Sequence, residues 1–64
     1  MDKRYYLKMS GRPFWFSGWS DDGHPEWADN LSDAFVYNKE IGLLEHDYKL
    51  LVSMKIVVVI VRSS

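Results

Sequence analysis

Six consecutive β-branched residues, from Ile56 to Val61, restrict the fold of this chain more than any other feature of its sequence. Their stiff side chains suit a pleated strand, so the run predicts a β-strand over Met54 to Val61, placed centrally in a sheet. A membrane-spanning helix would need about 20 apolar residues, which excludes that interpretation of the run. Side chains alternate between the two faces of a strand, so both faces of this strand are apolar and need cover.

An amphipathic helix of about three turns is predicted before this strand. Asn38 is a suitable N-cap, Glu40 fits the first turn, and the apolar residues that follow recur at helical spacing. The predicted apolar stripe consists of Ile41, Leu44, Tyr48 and Leu51, widened by Leu43 and Leu50. The predicted polar side consists of Glu45, His46, Asp47 and Lys49. Gly42 weakens the helix slightly and suggests close backbone packing at that point.

Two aromatic strands are predicted near the start of the chain. Tyr5 to Met9 and Phe14 to Trp19 are rich in β-favouring side chains, and Ser10 to Pro13 supplies turn residues between them. The two strands therefore form a predicted hairpin. Residues 20–25 contain strong breakers and form a loop before Glu26 to Ala28 resumes.

Residues 30–37 fit either a short helical turn, capped by Ser32 and Asp33, or a strand through Phe35 to Tyr37. Together the elements predict a single α+β domain over residues 1–64, with an antiparallel sheet of three or four strands and one helix packed on one face. One helix covers one sheet face. The other face is expected to be covered by the loop around Trp27, by a second copy in a homodimer, or by a partner.

Charge is distributed unevenly along the chain. Residues 1–13 carry four basic residues and one acid, whereas residues 20–33 carry five acids and no basic residue. We hypothesise that these acids and Trp27, around which they are set, bind an arginine- or lysine-rich surface of another protein, the acids speeding encounter and Trp27 supplying affinity. The alternative is a solvated loop whose charges keep a small, sticky protein soluble. The five acids are Asp21, Asp22, Glu26, Asp29 and Asp33.

The aromatic residues, three Trp, four Tyr and three Phe, permit two interpretations. A small domain fills its core with large rings, whereas a single-stranded nucleic-acid binder uses them to stack bases in a basic groove. The net charge of −1 and the neighbouring acids favour the first, so direct nucleic-acid binding is kept as an alternative. Trp15 lies on the strand face opposite Phe14 and Phe16, and Trp15 and Trp19 are candidate contact residues for a protein partner.

The sequence contains no arrangement typical of an enzyme. His24 lies in a turn and His46 lies on the predicted polar side of the helix. Asp21, Asp22, His24 and Glu26 match neither the calcium-loop spacing nor the helical zinc spacing. We therefore predict a non-enzyme without metal or cofactor. The absence of cysteine and of a visible export signal predicts a cytoplasmic protein.

An aromatic hairpin, a Trp followed by acids, an Ala-x-x-Tyr element before a helix, and a final valine-rich strand follow one another in this chain. The corresponding residues are Tyr5-Tyr6-Leu7, Phe14-Trp15-Phe16, Trp19, Trp27, Ala34 to Tyr37, the helix from Asn38, and Ile56 to Val61. This order resembles small accessory proteins of phages and prophages. That class includes anti-CRISPR proteins that bind and block a host nucleoprotein complex. The resemblance implies an inhibitor acting in the host cytoplasm.

The leading hypothesis is thus a small protein-binding module that contacts a basic protein surface. The first alternative is a single-stranded nucleic-acid binder that stacks bases on the aromatic strand, through Trp15 and Trp19, and uses the basic residues within 3–12. The second is a homodimeric structural protein with no other partner.

Overall fold

A computed structural model describes residues 3–38 and 41–63 of the chain. The described elements are strands β1 (Arg4–Met9), β2 (Trp15–Trp19) and β3 (Pro25–Ala28), helix α1 (Ile41–Ser53) and strand β4 (Val58–Ser63). All strand pairs are antiparallel, and the four-stranded sheet has the order β3-β2-β1-β4. The predicted α+β class, with one helix and an antiparallel sheet, is confirmed.

Helix α1 packs against one face of the sheet, which we call the helix face, and the opposite side is called the open face. The buried cluster between the helix and the sheet consists of Leu7, Phe16, Tyr37, Leu44, Leu51 and Val58. Leu44 and Leu51 come from the predicted apolar stripe of α1, and Tyr48 from the same stripe is half-buried against the cluster.

The predicted start of α1 is not tested, whereas two expectations about its side chains and packing are wrong. Among the described residues α1 begins at Ile41, and the predicted first turn with Glu40 lies outside the described residues. The expectation of close packing at Gly42 is wrong, because a Cβ built there has no heavy atom within 4 Å. Leu43 and Leu50, expected to widen the buried stripe, are exposed.

The end of α1 differs from the prediction, because the helix closes in a Schellman motif where a strand was predicted to begin. The N–H of Ile56 donates to the carbonyl of Leu51 at 3.0 Å, and the N–H of Lys55 donates to that of Val52 at 2.9 Å. Lys55 adopts the left-handed φ of 64° that this motif requires. Met54 and Lys55 therefore form a turn, and β4 starts only at Val58.

The prediction that the β-branched run forms a central strand is wrong. Within the described chain β4 pairs with β1 alone and lies at an edge of the sheet. Val58 is buried, whereas Val59 and Ile60 are 43% and 49% exposed. The strand buried on both faces is β1, whose Tyr6 lies on the open face and whose Leu7 lies on the helix face. Both faces of β4 are therefore apolar, but they are not both buried.

Residues 30–37, which the sequence left open, contain a helical turn and then an extended segment. The turn is a 3-10 helix, Leu31–Asp33, whose first N–H groups are capped by Asn30 rather than by Ser32 or Asp33. The Asn30 side-chain oxygen accepts a hydrogen bond from the Asp33 N–H at 3.0 Å and another from the Ser32 hydroxyl at 2.7 Å.

The extended segment after this turn lies between β1 and β2 and links them. The Phe35 N–H donates to the Phe16 carbonyl at 2.9 Å. Tyr5 and Tyr37 exchange two backbone hydrogen bonds, at 2.8 and 2.9 Å. This bridge places the Tyr37 ring in the core beneath α1.

Candidate functional site

A bulge in β2 determines which way its tryptophans point. Trp15 pairs with Ala28 and Trp19 pairs with Pro25, and the register shifts between Phe16 and Gly18. Strict alternation would place both tryptophans on one face, but the extra residue turns Trp19 to the helix face. Gly18 permits this with a φ of 140°, a backbone conformation that other residues rarely adopt.

The tryptophans predicted as contact residues are therefore separated by the sheet. Trp19 and Trp27 are half-buried on the helix face, and their ring centroids lie 5.1 and 5.9 Å from that of Phe16. Their rings pack against the core from one side. Trp15 lies on the open face, beside Tyr6 at 6.0 Å between ring centroids.

A buried carboxylate joins the helix to both halves of the sheet. Asp47 is 4% exposed, and the interpretation that placed it on the polar side of the helix is wrong. One carboxylate oxygen accepts a hydrogen bond from Trp19 Nε1 at 3.0 Å, and the other accepts one from the Tyr37 hydroxyl at 2.6 Å. Asp47 follows Leu44 by three residues and precedes Leu51 by four, so helical spacing alone could have placed it in the buried stripe.

The protonation of this cluster follows from its surroundings. Burial, the hydrogen bond to Asp47 and the negative charge of Asp47 together raise the pKa of Tyr37 well above its ordinary value. The Tyr37 hydroxyl thus stays a donor. Among the described residues, no buried side-chain nitrogen or oxygen lacks a hydrogen-bond partner. The cluster is therefore a satisfied structural element that holds α1 on the sheet.

The five acids predicted to bind a partner lie around β3, and together they are called the acidic rim. They are distributed over the β2–β3 turn (Asp21 and Asp22), the strand itself (Glu26), and the segment after it (Asp29 and Asp33). All of them are exposed. The four residues of β3 span about 10 Å, so the rim is an extended charged border along one edge of the sheet.

Hydrogen bonds hold the two ends of the acidic rim, between backbone groups at one end and from backbone to side chain at the other. In the β2–β3 turn, the Ser20 N–H donates to the His24 carbonyl at 2.8 Å and the Gly23 N–H donates to the Ser20 carbonyl at 3.0 Å. At the other end, Asn30 caps the 3-10 helix that carries Asp33. Trp27 anchors the strand between these ends to the core. The carboxylates are therefore presented on an ordered frame.

The open face carries a second exposed set of side chains. The Lys8 Nζ lies 6.0 Å from the centre of the Trp15 ring, within range of a cation–π contact. Arg4 and Val59 lie on the same face, because they pair with Ser63 and Lys8 in the β1–β4 ladder. This face therefore combines one accessible indole with two cationic side chains.

The described residues form neither a pocket nor a metal site of the kind that small-molecule chemistry uses. Residues 3–38 and 41–63 enclose no pocket and bring no three histidine or acidic side chains together as metal ligands. His24 and His46 are both exposed. No described helix has the length and apolarity needed to span a membrane.

The structure thus presents two exposed surfaces, the acidic rim and the open face, on a sheet to which the cluster around Asp47 holds α1. The rim contains every predicted acidic contact residue. The tryptophans predicted to join it are placed elsewhere, two against the core and one on the open face. Comparisons of the chain with known protein families, curated proteins and solved structures find no match.

Proposed function

We propose that this protein is a small protein-binding module whose acidic rim docks on an arginine- or lysine-rich surface of another protein. The observation that carries the proposal is the placement of five exposed carboxylates along the β3 border, in a stretch (residues 13–38) with no basic residue. Their combined field reaches about 8 Å into solution at physiological salt, which accelerates encounters with a cationic surface.

Order in the rim supports the same proposal. Binding costs free energy when side chains and loops must be ordered, and that cost falls when the binding frame is already held. The rim has such a frame, because its turn and its 3-10 helix are both closed by hydrogen bonds. Trp19 and Trp27 contribute here by fixing β2 and β3 to the core.

A narrower form of the proposal is an inhibitor of a host defence complex, of the anti-CRISPR kind. Two arguments support it: the resemblance in the order of sequence features, and charge. Proteins that bind nucleic acid present lysine- and arginine-rich surfaces to the phosphates, and an acidic rim is complementary to such a surface. An inhibitor of this kind would work in the host cytoplasm by occupying the surface meant for nucleic acid.

Charge reversal tests the proposal. A variant with Asp21→Lys, Asp22→Lys and Glu26→Lys should lose the partners that the unmodified protein captures from a bacterial lysate. The control is Glu45→Lys, which changes an exposed acid on α1, away from the rim. The control should retain those partners, and the retained binding should weaken as salt is raised. Equal capture by the triple variant would show that the acidic rim is not the binding surface.

Single-stranded nucleic-acid binding is the second candidate, and the open face favours it, because Trp15 lies beside Lys8 and Arg4 lies further along β1 on the same face. Trp19, expected to share the stacking, lies on the helix face, so Trp15 is the indole available to a base. Oligothymidine should quench Trp fluorescence at low salt, and Trp15→Phe should remove that quenching. If oligothymidine does not quench the unmodified protein, this candidate is eliminated.

A further inference from the structure

Strand β4 presents a row of backbone groups without a neighbouring strand. The Ser10 N–H donates to the Val57 carbonyl at 2.9 Å, which sets the phase of the β1–β4 ladder. In an antiparallel ladder alternate residues point their N–H and C=O to opposite sides. The backbone groups of Val58, Ile60 and Arg62 therefore point away from β1, and no strand in the described chain pairs with them.

This edge has few of the features that discourage strand pairing. Such features are proline, charged side chains, a bulge or a very short strand, and the six-residue β4 has one of them, the charge of Arg62 near its end. Its edge side chains are apolar, since Ile60 is 49% exposed on the helix face and Val59 is 43% exposed on the open face. The edge thus offers both hydrogen bonds and apolar surface to another strand.

We propose that two copies of this chain pair through β4, antiparallel, about a two-fold axis that passes beside Ile60. Ile60 then lies opposite Ile60 of the second copy, and Val58 lies opposite Arg62. These are the residues with outward-pointing backbone groups, so each opposed pair exchanges two hydrogen bonds. On the open face Val59 lies opposite Val61 of the second copy, a pairing of two β-branched side chains.

Charge selects this register, and the short, proline-bearing β3 leaves β4 of the second copy as the occupant. Arg62 is the charged residue of β4, and the proposed register separates the two copies of Arg62 by about 13 Å along the strands. A register that placed them directly opposite each other would be repulsive. Pairing of β4 with β3 of another copy is disfavoured, because β3 is short and begins with Pro25.

Because the contact has two-fold symmetry, no third copy can add to it through β4. Each copy uses its β4 once, so the product is a dimer with one continuous sheet and both helices on the same side. A chain of 64 residues without cysteine has a small core, and oligomerisation is one of the few ways to stabilise it further. A contact limited to strand edges is small, and we expect dissociation in the micromolar range, about 1–100 µM.

Sedimentation velocity of the full chain, followed to about 500 µM, tests the dimer. The unmodified protein should pass from monomer to dimer with concentration and form nothing larger. Ile60→Lys and Ile60→Glu should each remain monomeric, because the two-fold axis places like charges opposite each other. An equimolar mixture of the two variants should dimerise again. Val52→Lys is the matched control, because Val52 on α1 is also 49% exposed, and it should dimerise normally.

Far-ultraviolet circular dichroism establishes that each variant is folded. The proposal is overturned if the unmodified protein stays monomeric at the highest concentration, if it forms open-ended polymers, or if mixing the two Ile60 variants restores nothing. The proposed function is tested separately, because the triple charge reversal in the acidic rim leaves β4 unchanged and should leave dimerisation unchanged.

Discussion

The two edge strands of the sheet, β3 and β4, differ in how well they are protected from pairing with another strand. β3 is four residues long, begins with proline, carries Glu26 and lies beside a bulge, with further acids at both of its ends. β4 is six residues long, β-branched over most of its length, and regular in its pairing with β1. An edge strand is an open template for another strand unless length, charge or proline prevents pairing. By length and proline β3 is protected and β4 is open, and the charge on β4 is confined to Arg62 near its end.

Because the two edge strands differ in this way, each suits a different kind of contact. At β3 the available interaction is electrostatic, long in range and sensitive to salt. At β4 it is a ladder of backbone hydrogen bonds with apolar side chains, short in range and specific in register. β1 and β2 lie between them, and Asp47 connects α1 to Trp19 on β2 and to Tyr37 in the segment that lies between β1 and β2.

The largest effect is expected from Asp47→Ala, which removes the acceptor of the partly buried Trp19 indole N–H and of the buried Tyr37 hydroxyl. We expect a loss of about 3 kcal/mol in the free energy of unfolding, measured by urea denaturation. In hydrogen exchange, β3 should lose more protection than β4, because Trp19 is next to β3 in the sheet. Glu45→Ala, an exposed control on α1, should change stability by less than about 0.5 kcal/mol.

A smaller effect is expected within β4 itself. Val58→Ala removes two methyl groups from the core and should cost about 2 kcal/mol, whereas Val59→Ala, at the exposed edge, should cost less than about 0.5 kcal/mol in dilute solution. Both changes in the free energy of unfolding are to be measured by urea denaturation at low protein concentration, where the proposed dimer is dissociated. Equal losses would mean that Val59 is covered in the monomer, and the description of β4 as an open edge would be wrong.

Alkaline pH should lower the free energy of unfolding through Tyr37, which belongs to the cluster around Asp47. Below pH 10 Tyr37 is neutral in both the folded and the unfolded chain, so its contribution to stability is complete. Above pH 10 the unfolded chain releases this proton while the folded chain retains it, because the folded pKa is raised. Stability should then fall by about 1.4 kcal/mol per pH unit. Tyr37→Phe should lack this component, so denaturation of the two proteins in parallel isolates it. Identical pH slopes would contradict the raised pKa.

The smallest effect should come from the turn that leads into β4. Lys55 has a left-handed φ of 64°, which glycine adopts without steric cost. Lys55→Gly should therefore raise the free energy of unfolding by about 0.5 to 1 kcal/mol. Lys49→Gly, in the interior of α1, is the control and should lower it by about 1 kcal/mol. A loss of stability in both variants would argue against a Schellman closure before β4.

Much of the fold could be predicted from local patterns. The β-branched run at residues 56–61, the apolar spacing of Leu44, Tyr48 and Leu51, and the aromatic hairpin all indicate the correct element type. These patterns are local because each reports the periodicity of its own segment. The acidic rim was also visible, since five acids within 14 residues must lie on a short, exposed piece of chain.

The placement of particular side chains could not be predicted with equal success. A bulge at Ser17 and Gly18 turned Trp19 to the helix face, and one extra residue in a strand reverses every side chain that follows it. Asp47 was assigned to the polar side because of its charge. Its partners are 10 and 28 residues away in the chain, and no local pattern reports them.

The sequence by itself determined the element types, the absence of disulfides and the concentration of acids in one stretch, because composition and short-range periodicity suffice for these. Only the tertiary structure decided that β1 is central, that β4 is an edge and that Trp19 and Tyr37 are the partners of Asp47. Strand order depends on how distant segments pair, and here residues 35–37 lie between β1 and β2 and complete the pairing on that side. A run of β-branched residues specifies a strand, but its neighbours in the sheet determine how much of it reaches water.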